Sequence, residues 1–313
     1  MYLSYSGWKK FKSECGFAYW LSYIGKITVP QTDDRLGSIF GSVVGKLFED
    51  FYKEEVFRQP QPLGFLMAKV PGTVKAVIRE EVSPSASWKT GGVIKWKGEG
   101  PGQNPKAMYE SEEELAADVR DAVARGFRII RHYRLLGKGA QAEVQLDSFI
   151  QGHKIAGRAD FILRRVLPYD DELILDGKGS QHRDKYVDKR QLRWYAMLFR
   201  EKFKRLPDRL GFVFWRYDPP DSVDWVDVKE EEIQALKEEV LGDIRQIEQL
   251  SAGLNASPEA ARKVFLPVAS NPKPGMTKSD IKFTCRFCPF AVEDICPDGA
   301  KIVAAADKRK EAV

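Results

Sequence analysis

The sequence predicts an α/β protein built on a mixed central sheet flanked by helices. Three observations lead there. Segments 142–151, 155–164 and 172–178 read as strands, joined by turns at Gly152-His153-Lys154 and Leu167-Pro168-Tyr169-Asp170-Asp171. Helical periods precede and follow them. Two further strand-like runs, 210–217 and 223–228, come after an intervening helix, so the sheet is expected to be mixed rather than all parallel.

The 313 residues, 43% of them hydrophobic, suffice for a buried core and exclude a disordered or fibrous chain. No apolar run approaches the ~18 to 20 residues that span a bilayer, and Met1-Tyr2-Leu3-Ser4 does not begin a signal peptide. A cytoplasmic protein with no membrane partner is expected. The net charge of +5, from 50 basic and 45 acidic residues, permits nucleic-acid binding without arguing for it.

From the N-terminus, Ser4 can cap a helix bearing Trp8, Phe11 and Cys15, with a break at Gly16 before Tyr19 and Trp20. A second helix is expected over 36–57, where Ile39, Val43, Leu47 and Phe51 recur every four residues. Gly, Pro, Ser and Lys dominate about 83–106, which reads as a mobile loop. It is either a flap offering Lys95, Trp96 and Lys97 to a strand of nucleic acid or an ordinary surface insertion. Ser111 and the glutamates after it start a helix expected to end at Gly126. After the three strands come a helix over 186–202, two more strands, and a charged helix over 230–249.

A hairpin symmetric about Pro168 pairs residues whose numbers sum to 336, and so sets Asp160 opposite Asp176. Such partners stand ~4.5 to 5.5 Å apart at Cα, on one face. Opposed carboxylates destabilise a sheet unless a cation lies between them, and hard oxygen ligands on a rigid hairpin suit Mg or Mn. Lys178 shares that face and can orient or deprotonate an attacking water. The plainer alternative pairs Asp160 with Arg158 and Asp176 with Lys178 as separate strand-end carboxylates. Gly157 permits close backbone approach, and Leu173-Ile174-Leu175 buries the strand that delivers Asp176. On the next helix Gln191 and Tyr195 stack four residues apart beside a core stripe of Leu192, Ala196 and Phe199. They can reach a sugar-phosphate backbone with Lys185, Lys189, Arg190 and Arg193 around them, or Tyr195 is simply half-buried.

The four cysteines, Cys15, Cys285, Cys288 and Cys296, supply thiolates from both ends of the chain and suit a [4Fe-4S] cluster or a structural Zn site. The three histidines, His132, His153 and His182, read as surface or turn residues, with His182 near Lys178 in sequence.

The order Gly157-x-x-Asp160, Asp176-x-Lys178, Gln191-x-x-x-Tyr195 resembles motifs II and III and the Gln-Tyr motif of RecB-like nucleases in the PD-(D/E)XK superfamily. That resemblance implies a restriction-endonuclease-like fold and a metal-dependent nuclease acting on DNA ends or single strands, in recombination, repair or spacer acquisition. It also implies Asp160, Asp176 and the Gly177 carbonyl as metal ligands, Lys178 as catalytic, and Gln191 and Tyr195 as holding DNA. The stretch Gly41 to Glu49 resembles the family's Gly-x-x-x-His-x-x-x-Glu helix with Gly45 in the His position. Glu49 or Glu143 would then complete the metal site, or the chain would be a weakly catalytic DNA-binding or scaffolding subunit. The one-plus-three cysteine arrangement is similar to the iron-sulfur clasp of AddB and the CRISPR adaptation nucleases. No helicase phosphate loop is present, so unwinding would need a helicase or recombination partner. The expected organisation is an N-terminal helical region (1–135), a nuclease core (136–255) and a cysteine-rich clasp and tail (256–313).

Overall fold

The computed structural model describes residues 1–29, 36–83, 94–99, 103–105, 107–136, 139–165, 169–183, 187–254 and 257–311. In chain order the elements are β1 (Tyr2–Ser4), α1 (Tyr5–Lys9), α2 (Gly16–Tyr19), α3 (Leu36–Lys53), α4 (Pro62–Val82), α5 (Glu112–His132), β2 (Gln141–Gln145), β3 (Ser148–Ile150), β4 (His153–Ala156), β5 (Arg158–Arg164), β6 (Glu172–Lys178), α6 (Lys189–Phe203), β7 (Arg209–Phe214), β8 (Val223–Val226), α7 (Glu230–Ser251), α8 (Pro258–Val264), α9 (Lys278–Arg286), α10 (Pro289–Val292) and α11 (Pro297–Glu311). They form two compact units, one from the N-terminal segment and the chain beyond Leu236, the other from the chain between.

The larger unit holds a five-stranded sheet of order β2-β5-β6-β7-β8. Only β6 and β7 run parallel, and α6 supplies the crossover such a pair requires; the other pairs are antiparallel, so the sheet is mixed as expected. Phe161, Leu163, Leu173 and Leu175 join the buried faces of α3, α4 and α5 in one apolar core. Strand alternation turns Asp160, Asp176 and Lys178 to the opposite face.

Several boundaries differ from the sequence reading for identifiable reasons. α5 runs through Gly126 to His132, because a Cβ at Gly126 would stand 2.0 Å from the Phe48 ring: this glycine is a packing site, not a stop. α3 ends at Lys53, and Glu55 turns left-handed before a short 3-10 turn. The expected strands 142–151 and 155–164 each divide in two, β3 pairing with β4 apart from the five-stranded sheet. The second break falls at Gly157, where a Cβ would meet Leu198 of α6 at 2.7 Å.

α4 escaped the sequence reading, since Pro71 stands inside it. Leu66, Val70, Val74 and Val77 are buried along α4. At about 1.5–3 kcal/mol each they outweigh an interior proline's cost of about 3 kcal/mol.

In the smaller unit Ser4 caps α1 by accepting from the Gly7 amide at 3.3 Å. The Trp8 indole donates to Asp243 Oδ2 at 2.9 Å, and Lys12 bridges Asp243 and Glu239 at 3.0 and 3.3 Å. Phe11, Tyr19 and Phe265 cluster beside them. No helix among the described residues is long and apolar enough to cross a membrane.

Candidate active site

The β5–β6 hairpin pairs Phe161 with Leu175, Ile162 with Ile174, Leu163 with Leu173 and Arg164 with Glu172, and every pair sums to 336. The ladder ends one residue short of Asp160 and Asp176, whose charges still act on one another. The Gly177 amide donates to Asp160 Oδ2 at 2.8 Å. Asp176 is 2% exposed; its Oδ1 touches the Lys178 ammonium yet receives no aligned hydrogen bond. Burial first, then the charge of Asp176, raises Asp160 above the usual carboxylate range, while the Gly177 amide pulls the other way. Burial raises Asp176 likewise, against the pull of Lys178. Two buried carboxylates with one ammonium form a site short of positive charge.

Lys178 also donates to Gln191 Oε1 at 3.2 Å, and Gln191 Nε2 donates to the Tyr195 hydroxyl at 2.9 Å. The two α6 side chains thus extend a hydrogen-bonded chain from the lysine. Tyr195 is 7% exposed, and burial, with the charge of Asp176 next, raises its ionisation well above the ordinary phenol range. It stays a neutral partner. Of the expected basic surround, Lys185 lies outside the described residues, and Arg193 is ion-paired to Glu232.

Asp160 and Gly177 open onto a cleft of about 1000 Å³ whose wall also carries Gly45, Glu49, Glu143 and Arg158. A Cβ at Gly45 would meet nothing within 4 Å, so α3 presents open space where the resemblance expects a histidine. Glu49 is held by Lys53 at 2.6 Å and Lys46 at 3.2 Å. Burial alone would raise it, but those two ammonium groups keep it below the usual carboxylate range. Glu143 accepts from Arg158 Nε at 2.6 Å, and its charge is felt at Asp160. Either carboxylate therefore faces the cleft already partnered by cations.

Four further groups position the site and were not read from the sequence. Trp215 lies over Gly177, where a Cβ would stand 2.7 Å from the indole nitrogen, and Trp215 stacks on Phe48 at 4.4 Å. The Arg216 guanidinium donates to the Gly179 carbonyl at 2.8 Å and to Tyr109 at 2.6 Å. It also pairs with Asp118 at 2.6 Å and lies 3.5 Å over the Phe40 ring, fixing the chain just beyond Lys178. Gly179 crosses Gly41 of α3 at close range. Asp188, capping α6, adds negative charge near Asp176. Only the residue types Gly-Lys-Gly and Trp-Arg at two strand ends hinted at this.

In the 83–106 stretch, Trp96 is half-buried against the core and Lys97 forms an exposed pair with Glu110 at 3.4 Å; most of the remainder lies outside the described residues. His132 and His182 are exposed, and His153 begins β4.

In the smaller unit all four cysteines line one cavity of about 260 Å³. None is in a disulfide. Cys15 Sγ accepts from the amides of Ala18 at 3.5 Å and Val268 at 3.4 Å. Burial, then the other cysteines, pushes the Cys285 thiol up to about 12; burial above all pushes Cys296 up to about 11. Thiolates here would need cationic compensation.

Among the described residues, no group of three or more His, Cys, Asp or Glu side chains lies close enough to hold a single ion. Asp160 and Asp176 still fit a hard cation that keeps several of its own waters, because few protein oxygens then suffice. Asp176 Oδ1, in contact with Lys178 but without an aligned hydrogen bond, is a buried acceptor that such an ion would further satisfy. The four thiols share one cavity, and a single ion would need its sulfurs gathered at ~2.3 Å from one point.

A family model described as the PD-(D/E)XK nuclease superfamily matches residues 2–297. No curated protein matches the chain. The chain is similar to a solved structure described as the crystal structure of SSO0001, at 18% identity over 60% of this chain and 77% of that one, with a TM-score of 0.27. So loose a superposition carries no argument about function.

Proposed function

The chain belongs to the PD-(D/E)XK nuclease superfamily, and from that premise we propose that it is a Mg- or Mn-dependent deoxyribonuclease acting on single-stranded or frayed DNA ends. The observation that carries this reading is the cluster of Asp160 and Asp176 just past the end of the β5–β6 ladder, with Lys178 against Asp176 and Asp160 on the cleft wall. Asp160, Asp176 and the Gly177 carbonyl would hold the metal, which when bound polarises the phosphate and lowers the pKa of water. Lys178 orients the attacking water and offsets charge at the phosphate. Gln191 fixes the lysine's position, and Tyr195 fixes Gln191. Exonucleolytic action in recombination, repair or spacer acquisition, with a helicase or recombination partner for unwinding, rests on the RecB-like motif order.

The test is degradation of end-labelled single-stranded, duplex and flapped DNA with Mn²⁺ and with EDTA. Metal-dependent shortening is expected, reduced by about 10²- to 10⁴-fold in Lys178→Ala. Undiminished cleavage by that variant would overturn the assignment.

A second reading, a DNA-binding or scaffolding subunit that cuts poorly, is favoured by Gly45 and by the cation-paired states of Glu49 and Glu143. DNA binding without cleavage in either metal would select it.

For the cysteines we propose a structural [4Fe-4S] cluster, with zinc the alternative. The shared cavity and the amides donating to Cys15 support a thiolate-bound group. A brown protein absorbing in the visible after anaerobic purification is expected; a colourless, zinc-containing one would select the alternative.

A further inference from the structure

At α9 an aromatic pair lines the cysteine cavity and still stands largely in solvent. Phe283 and Phe287 are 68% and 57% exposed, with ring centroids 4.8 Å apart. Cys285, between them in sequence, lines the same cavity but is buried. Lys278, Lys282 and Arg286 recur every four residues along the same nine-residue helix, and all three are exposed. Successive cations therefore sit about 6 Å apart along the axis, the length scale of one unstacked nucleotide. The one acidic residue of the helix, Asp280, is held in the capping box with Thr277, and among the described residues no ion pair engages Lys278, Lys282 or Arg286. Arg286 lies 5.9 Å from the Phe287 ring centre, beside the ring rather than paired to an acid.

We propose that this face of α9 binds single-stranded DNA, the rings of Phe283 and Phe287 stacking on bases while Lys278, Lys282 and Arg286 follow the phosphates. Exposed rings edged by a row of cations complement a strand whose bases are free to stack and whose backbone is uniformly negative. A protein partner would be expected to meet a wider apolar surface, and duplex DNA offers no free base faces. The inference rests on the nuclease reading for its choice of nucleic acid, but not on the metal site.

The test is fluorescence anisotropy of a labelled oligothymidylate with the full-length protein in EDTA, where no cleavage occurs. Phe283→Ala/Phe287→Ala is expected to weaken binding by about tenfold or more, and Lys282→Ala/Arg286→Ala is expected to flatten the salt dependence. Cross-linking of a bromodeoxyuridine oligonucleotide should map to a peptide containing Phe283 or Phe287. Unchanged affinity in both double variants, with circular dichroism intact, would overturn the proposal while leaving cleavage to judge the nuclease reading. A shift to a smaller assembly in the aromatic variant, without loss of affinity, would show instead that the rings join copies of this chain. Absence of both binding and metal-dependent cleavage in the unaltered protein would sink the nuclease reading itself.

Discussion

A Cβ on Gly179 would stand 2.8 Å from the Gly41 Cα, whereas a Cβ on Gly41 would find Gly179 at an ordinary 3.9 Å. The crossing is therefore asymmetric. Gly179→Ala must move either α3 or the end of β6, at about 1–3 kcal/mol, and should depress cleavage with stability. Gly41→Ala should be neutral or stabilising by up to about 1 kcal/mol, since it replaces glycine inside a helix. Urea unfolding of the two variants measures the contrast.

Gln191 ties Lys178 to Tyr195. Gln191→Ala removes the neutral acceptor that, together with Asp176, fixes the ammonium. The expected result is a loss of about 1 kcal/mol in stability together with a fall in kcat larger than any change in KM. Tyr195→Phe leaves Gln191 in contact with Lys178 and should be the milder change in both assays.

The pH dependence of stability has an unusual sign. Asp160 and Asp176 are raised in the folded state, mainly by burial. Between the unfolded value near 4 and the raised folded values, the native state binds more protons than the unfolded one. Without metal, stability should therefore fall as pH rises through that window, by up to about 1.4 kcal/mol per pH unit for each group. Asp160→Asn should flatten the slope, and Mn²⁺ should cancel it in the unaltered protein. Thermal unfolding from pH 5 to 8 in EDTA and in Mn²⁺ tests both.

Gly45 faces open space on the wall that carries Asp160. Gly45→His starts from a Cβ that would meet nothing within 4 Å. Mn²⁺ affinity is expected to rise by about tenfold or more, and cleavage with it, since imidazole suits first-row transition metals. Calorimetric titration with Mn²⁺ reads the first effect directly; unchanged affinity would mean that the centre lies beyond reach of α3.

The hairpin register was legible because it follows from the turn position: a centre at Pro168 predicts pairs summing to 336, and the four observed pairs obey that sum, though the ladder ends before Asp160 and Asp176. The Gln191–Tyr195 spacing was legible for the same local reason. What lay hidden depends on contacts distant in sequence. Pro71 masked α4, whose burial against other helices outweighs the local penalty. Gly126 looked like a stop, yet it makes room for the Phe48 ring, and the partner that Gly157 admits at close range, Leu198 of α6, could not be read from the local sequence. Arg216 was indistinguishable from any surface arginine until Gly179, Asp118 and Phe40 gathered around it.

Cys15 stands far from the other three cysteines in sequence and shares their cavity. Cys15→Ser should lower the thermal midpoint of the smaller unit by several degrees and abolish any visible absorbance, because the thiolate set joins the N-terminal segment to the C-terminal one. Anaerobic chelation of the unaltered protein should reproduce the loss. An unchanged midpoint would mean that the thiols carry no bound group.

The Phe48 ring is seated between Gly126 on α5 and Trp215 at the end of β7, and Trp215 in turn covers Gly177. Nothing in that column has slack: two of its members are glycines because a single added carbon would collide, and the other two are flat rings in stacked contact. Gly126 of α5 and Phe48 of α3 thus work as a backstop for the peptide between Asp176 and Lys178. Position 126 and position 177, fifty-one residues apart, are in effect the two ends of one rigid strut, and the range of side chains tolerated at the first is set by the chemistry required at the second.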